Sequence, residues 1–413
     1  MGWQESESAE ESFIKIMSMT SESDLNKQIT ADMKLCTAIA IYFLVNTVNV
    51  AIKTAFPTMP QGIWDLMRYG VIAILFVFLL RSIGIVFKRT GMRFVLFEGL
   101  FWLLYMISYV QGNANNAFLV SNAVQTLGIC VPIALCVIAI NDKAILYRTL
   151  LRYSYVILTV SLVAIVSLGR ERTYSMSLAS YVLVFVLLQY NEFCVNRKPI
   201  NLAFAIYGIA FIFVFGNRAA LLCIGFFSVL RLFGNNMLSV KNMIFTLLFI
   251  IAFVVGFMNF DRIVQTAYAT LQSSGRSSYL VNSLVNGTFF QSASRTDMLF
   301  PYYWGLIQQK PLFGWGVYGG YISEGMGPHN IILEFLLAFG WIVGTAMIIW
   351  FLCSLIKTVL HSRTQSKKDM LLMIFCASCF YMFISGGEWL IQPKWFIYMS
   401  LCWAPILGRS TRC

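Results

Sequence analysis

Histidine and charge are what this sequence has least of. Only two of its 413 residues are histidines, and charged side chains make up 12% of the chain. Set against 59% hydrophobic residues and a mean hydropathy of +0.73, that shortage of charge excludes an ordinary soluble globular fold. A catalytic zinc site needs at least three protein ligands. None can be assembled around His329, because no second histidine lies near it and Asp297 and Glu324 are not at ligand spacing. None of the ten cysteines falls in the long polar segment 258–329, which excludes an exported disulfide framework. Cys376 and Cys379 form a C-x-x-C inside an apolar run and read as two small residues on one helical face. The first 33 residues lack a basic stretch followed by a small-residue cleavage site, so no signal peptide is expected. No internal repeat is visible, which weakens a transporter built from inverted halves.

What the chain does have is long apolar runs. A bilayer-spanning helix takes about 20 mostly apolar residues, and the sequence predicts twelve. They lie at 34–52, 68–87, 94–111, 117–140, 150–169, 173–194, 201–216, 219–234, 240–258, 330–355, 370–387 and 393–408. The expected fold is an all-α polytopic membrane protein. An acidic cytoplasmic tail (1–33) precedes one polytopic domain (34–413), whose large external loop (258–329) contains short helices. The net charge of +12 does not point to nucleic acid. With the N-terminus inside, twenty of the 30 Lys and Arg, from Lys15 to Arg412, fall on the cytoplasmic side. That is the positive-inside pattern, and it predicts both termini in the cytoplasm.

Within the loop, the stretch FGWGVYGGYISEGMGPHNIILEF holds a formal G-x-G-x-x-G at Gly314, Gly316 and Gly319. It is a false match: no strand–glycine–helix unit surrounds it, as a dinucleotide fingerprint requires. The glycines read instead as a close-packed turn. Trp315, Tyr318 and Tyr321 are either sugar-stacking faces or an aromatic belt beside that turn. Upstream, Ser294-Arg-Thr-Asp297 is a capping pattern before an aromatic segment suited to the outer membrane interface.

His329 follows Pro328, which is predicted to occupy the first turn of the next span. A neutral imidazole at an outward-facing helix start is either a general base or a plain capping residue. Several arginines tilt the choice. Arg218 lies at the break between two short spans, Arg295 opens the capped loop segment, and Arg170 and Arg172 occupy a short external connection. Guanidinium suits bidentate recognition of phosphate, and a charge at the membrane edge is a functional signal by default. Glu388 and Lys394 flank the last external turn, either along an acceptor path or as a local ion pair.

The run SASRTDMLFPYYWGLIQQKPLFGWGVYGG, continued by GPHNIILEFLLAFGWIVG, resembles the signature region of the O-antigen ligase and O-antigen polymerase superfamily. FGNRAALL resembles that family's upstream arginine motif, and LGRERTYSMS a degenerate form of its earlier arginine loop, without the Asn-Pro that follows the arginine there. The resemblance implies an inverting, metal-independent glycosyl transfer outside the bacterial inner membrane, with no cofactor. The donor would be an undecaprenyl-pyrophosphate-linked oligosaccharide, held by Arg218 and Arg295. His329 would activate the acceptor hydroxyl, and Arg170, Arg172, Tyr318, Tyr321, Asn330 and Trp315 would bind substrate. Membrane lipid, a flippase and a chain-length regulator are the implied partners. A polymerase is the first expectation; a ligase acting on lipopolysaccharide core, or a lipid-linked oligosaccharide transporter, are the alternatives.

Overall fold

The computed structural model of the protein describes residues 4–56, 59–111, 116–164, 175–215, 217–234, 260–273, 279–286, 299–321, 327–361, 365–386 and 388–407. Among these residues there are helices and turns and no strand. Seven helices among the described residues are long and apolar enough to cross a membrane, consistent with an all-α membrane protein. The spans are Leu25–Ala55, Tyr69–Thr90, Met92–Val110, Asn116–Ala139, Ser177–Asn196, Ile331–Ser354 and Lys368–Ser385.

In chain order the helices are α1 (Gln4–Ala55), α2 (Gln61–Thr90), α3 (Met92–Val110) and α4 (Asn116–Ala139). Next come α5 (Lys143–Ser161), α6 (Met176–Asn196), α7 (Pro199–Val214) and α8 (Arg218–Gly234). The segment after α8 contributes the short helices α9 (Phe260–Ser273), α10 (Tyr279–Val285) and α11 (Phe300–Gln309). The last three are α12 (Ile331–His361), α13 (365–385) and α14 (Pro393–Leu407).

Among the described residues, seven of the twelve expected spans meet that length and hydropathy. Seven of the twelve predicted runs coincide with the long helices. Runs 150–169, 201–216, 219–234 and 393–408 correspond to α5, α7, α8 and α14, which are shorter or more polar. The 16 residues of α7 extend only about 24 Å, less than a full hydrocarbon thickness. Run 240–258 lies outside the described residues. Helix α1 starts at Gln4 and runs without a break into the first span.

Contacts at the helix ends fix the alternation. At one end Asp32 of α1 pairs with Arg89 of α2 and accepts backbone N–H bonds from Asn141 (3.2 Å) and Asp142 (2.9 Å) at the start of α5. At that same end Tyr147 of α5 donates to Glu192 of α6 (2.8 Å), and Arg231 of α8 pairs with Asp369 of α13 (3.3 Å). Asp32, Arg231 and Asp369 are buried, so these charges tie helices together rather than merely marking orientation. At the opposite end Thr54 of α1 donates to Ser175, the N-cap of α6 (3.1 Å). The helix pairs α1–α5, α6–α7 and α4–α14 pack most closely. Only 18% of the apolar window of α2 and 17% of that of α3 is buried, so their Phe76, Leu80, Leu100 and Leu103 face outward, as lipid contact requires.

The turn at 311–316 has a more specific role than the sequence suggested. Helix α12 is broken at Gly340, where φ is 70° and ψ −172°. An unbroken helix would have Trp341 N–H bond the Leu337 carbonyl. Instead Trp341 N–H donates to the Pro311 carbonyl (2.6 Å). The freed carbonyls of Leu337 and Ala338 accept from Trp315 N–H (2.8 Å) and Gly316 N–H (2.9 Å). Backbone groups exposed by the break are thereby satisfied inside protein, a setting in which irregular backbone is tolerated at membrane depth. The approach is so close that a Cβ on Gly314 would lie 2.6 Å from the Ala338 carbonyl, and one on Gly340 2.5 Å from that of Leu312. The two glycines serve this docking.

Candidate active site

A polar cavity of about 210 Å³ opens at the helix ends opposite the Asp32–Arg89 pair. His329 lines it, together with Tyr321, Glu334, Tyr381, Glu388 and the serines of α6 and α13. Each wall follows from local sequence.

Asn330, not Pro328, begins α12. Its Oδ1 accepts from Ile332 N–H (2.9 Å) and Leu333 N–H (3.3 Å), an N-cap in which Asn satisfies two orphan amides. Its Nδ2 donates to the Phe383 carbonyl (3.1 Å), fastening the start of α12 to the end of α13. The expectation of Pro328 in the first helical turn is therefore corrected: an Asn cap outcompetes it, and the proline stands two residues ahead of that cap. His329 sits just before the cap with a left-handed φ of 52°. Gly386, at φ 72°, backs it so tightly that a Cβ there would lie 2.1 Å from His329 Cα. Glycine is the residue type that allows both that φ and that approach.

Glu334 lies one turn into α12 and is buried. Tyr321 donates its hydroxyl to Glu334 Oε1 (2.7 Å), and burial holds that phenol well above its usual value, so it stays a donor. Gly327 leaves room for the Tyr321 ring, since a Cβ would meet the ring carbon at 2.5 Å. Glu388 follows α13, outside the spans, and burial raises its carboxyl above the ordinary 4.5.

On the other wall, Asn217 caps α8 by accepting from Ala220 N–H (3.1 Å), and its Nδ2 donates to Tyr381 Oη (2.8 Å). Arg218 is the first residue of that helix, half-buried, so its helix start abuts a residue that lines the cavity. Lys394 of α14 donates to Ser180 Oγ (2.6 Å) and to the Ser180 carbonyl (2.9 Å). The ion pair that the sequence offered between Lys394 and Glu388 is thus replaced by a bond to α6. Two π-turns flank the site, as such turns often do at functional places. One (Cys376–Phe380, holding the buried Cys376 and Cys379) leads into Tyr381. The other (Thr126–Cys130) presents Thr126 Oγ1 to the Leu390 carbonyl at 3.1 Å.

Of the residues singled out in the sequence, the structure brings His329 and Tyr321 into the cavity, while Arg218 follows Asn217, whose side chain bonds the lining residue Tyr381. Tyr318 is buried edge-on against Phe118 (5.0 Å) and Tyr321 (5.4 Å), which corrects its reading as an open sugar-stacking face. Trp315 has its ring covered by Lys310 Nζ (3.9 Å) and its indole N–H on the Leu306 carbonyl (2.8 Å), so it too serves the turn. Asn330 is a cap. Arg295, Arg170 and Arg172 lie outside the described residues. Glu334, Tyr381 and Ser180 on the cavity wall, and Lys394 bonded to Ser180 behind it, are the residues that motif reading passed over or discounted. Glu334 and Lys394 carried a signal, each a charge inside an apolar run.

Beside this cavity, Trp389 belongs to the wall of a larger apolar one of about 720 Å³ between α3, α12 and α14. Among the described residues no group of three or more His, Cys, Asp or Glu is placed to hold a metal ion. No protein family, curated protein or solved structure matches this chain.

Proposed function

We propose that the chain is a membrane polysaccharide polymerase, transferring a glycan from undecaprenyl pyrophosphate to a hydroxyl of another lipid-linked repeat unit. The observation that carries this reading is His329 on the wall of a polar cavity at one membrane end of the bundle, with the Arg218 helix start beside it. The basic helix ends around Arg89, Lys143, Arg197 and Arg231 lie at the other end, which by the positive-inside rule is cytoplasmic. The cavity then faces outside the bacterial inner membrane, and both termini lie inside. The sequence resemblance supports the same assignment.

In the proposed step His329 takes the proton of the acceptor hydroxyl as its oxygen bonds to the sugar C1. The C1–oxygen bond to the pyrophosphate breaks with inversion, and the leaving lipid pyrophosphate keeps the electron pair. Arg218 and Arg295 stabilise the charge that develops on it. Carboxylates such as Glu334 and Glu388 suit sugar hydroxyls, and the adjoining apolar cavity offers a place for a lipid chain. A flippase and a chain-length regulator are the partners that such an enzyme requires.

A second reading, a transporter of lipid-linked sugars, gains from one observation. The break in α12 at Gly340 and the buried Glu334 and Lys394 are features that transporters use at their binding sites. The experiment that separates the readings is the lipid-linked glycan profile of cells lacking the gene, with His329→Ala expressed in them at wild-type level. Single repeat units accumulating on the outer face, unrelieved by His329→Ala, are the expected result. Long lipid-linked polymer with a bare acceptor core would identify a ligase, and repeat units trapped on the cytoplasmic face a transporter. Normal polymer with His329→Ala would remove the base from the mechanism.

A further inference from the structure

Lys394 poses a problem of charge. Its side chain is 3% exposed, and its partners are neutral: Ser180 Oγ, the Ser180 carbonyl and the Tyr381 ring, whose centroid is 5.3 Å from Nζ. Among the described residues the ion pairs at the helix ends join Arg89 to Asp32 and Arg231 to Asp369; no carboxylate there pairs with Lys394. Two of its three N–H groups have acceptors while its charge has no carboxylate partner, and a buried uncompensated charge is expensive.

Hydrogen-bond direction shows where compensation would come from. Ser180 Oγ accepts from the ammonium, so the serine's own proton points to another acceptor. Tyr381 Oη accepts from Asn217 Nδ2 and also meets the hydroxyls of Ser385 and Ser180, so these hydroxyls form one network reaching from Lys394 to the cavity. Ser180 and Tyr381 both line the cavity. This wall therefore carries hydroxyl donors backed by a cation. The facing wall carries Glu334, engaged by Tyr321, and Glu388. The cavity is polarised, with donors on the α6–α13 side and acceptors on the α12 side.

We propose that the donor wall seats a phosphate-bearing group, with Lys394 as the positioning residue that turns Ser180 into a donor and balances the group's charge from behind. The proposal rests on the polymerase reading only for the identity of the phosphate's carrier. Together with Arg218 it would put the leaving group against α6 and α8, and the acceptor sugar against α12 and His329.

The test is calorimetric titration of the purified full-length protein in lipid nanodiscs with inorganic pyrophosphate and with farnesyl pyrophosphate. Lys394→Met and Ser180→Ala should each weaken binding about tenfold or more, the loss expected for a charge-assisted contact. Lys394→Arg, which keeps the cation, should stay within a few-fold of wild type. Equal binding of both probes would make the ligand a free pyrophosphate, and preference for the farnesyl probe a lipid-borne one; both uphold the phosphate seat. Wild-type protein that binds neither probe overturns it, as do Lys394→Met and Ser180→Ala binding like wild type. If Lys394→Met does not fold, Ser180→Ala decides, because it leaves the lysine its bond to the Ser180 carbonyl. Lys394-dependent binding in a protein whose deletion leaves cellular glycans unchanged would keep the phosphate seat and refute the polymerase.

Discussion

Replacing Gly386 with alanine perturbs the placing of His329 while leaving its imidazole chemically unchanged. Gly386 sits at φ 72°, ψ −170°, a region that only glycine populates freely, and an alanine there costs about 1–3 kcal/mol in backbone strain. Its new methyl would stand 2.1 Å from His329 Cα, 2.6 Å from the carbonyl carbon and 2.8 Å from Cβ. Carbon atoms in contact settle at about 3.5–4.0 Å, so the histidine backbone must retreat by more than about 1 Å. His329 has little freedom to absorb this, since its own φ is 52° and Asn330 is bonded on both sides. A displacement of that size at a reacting group costs about 10²-fold in rate. Gly386→Ala is therefore expected to cut polymer synthesis about 100-fold while still inserting in the membrane. Gly225→Ala, in α8 with nothing near its Cβ, is the control and should be neutral or slightly stabilising. The assay is polymer length and amount in deletion cells complemented at matched membrane levels. Wild-type polymer from Gly386→Ala would refute the claim that this contact places the histidine.

Asp32→Ala leaves Arg89 without its carboxylate and the amides of Asn141 and Asp142 without their acceptor, and should destabilise the protein by about 3 kcal/mol, read as a lower unfolding midpoint in detergent; an unchanged midpoint would show the pair to be idle. Gly340→Ala meets the Leu312 carbonyl at 2.5 Å and should cost at least about 2 kcal/mol and loosen residues 311–316, detected as new protease sensitivity there. Because the folded-state value of Glu388 is raised, its contribution to stability is complete below the unfolded value and fades as pH rises through the folded one. The wild-type midpoint should therefore fall as pH rises from acid to neutral, and Glu388→Gln should flatten that slope; equal slopes would contradict the burial of this carboxyl.

Membrane character and most helices were legible because a run of about 20 apolar residues has few other uses. The interruption of α12 was not, since IILEFLLAFGWIVG scans as one continuous span and glycine is common in membrane helices. Its partner was half visible, as a glycine turn without the surface that it packs on. Tyr318 and Trp315 misled because an aromatic ring beside a turn looks alike in sequence whether it faces a sugar or a buried phenylalanine. Lys394 lies 214 residues from Ser180, and no local pattern announces a bond across that distance. His329 stood out because histidine is rare here; the glycine behind it, 57 residues later, did not.

The docking of residues 311–316 into α12 also bears on how the chain is made. The half-helix 331–339 is about 13 Å long and cannot cross a bilayer by itself. It becomes a stable membrane element only when the turn synthesised shortly before it supplies the missing backbone partners. The emerging segment must therefore be sheltered until both pieces have left the ribosome. Gly314 and Gly340 act as one unit of inheritance: a side chain at either closes the gap for both, and a one-residue insertion between 311 and 316 should be as damaging as losing either glycine.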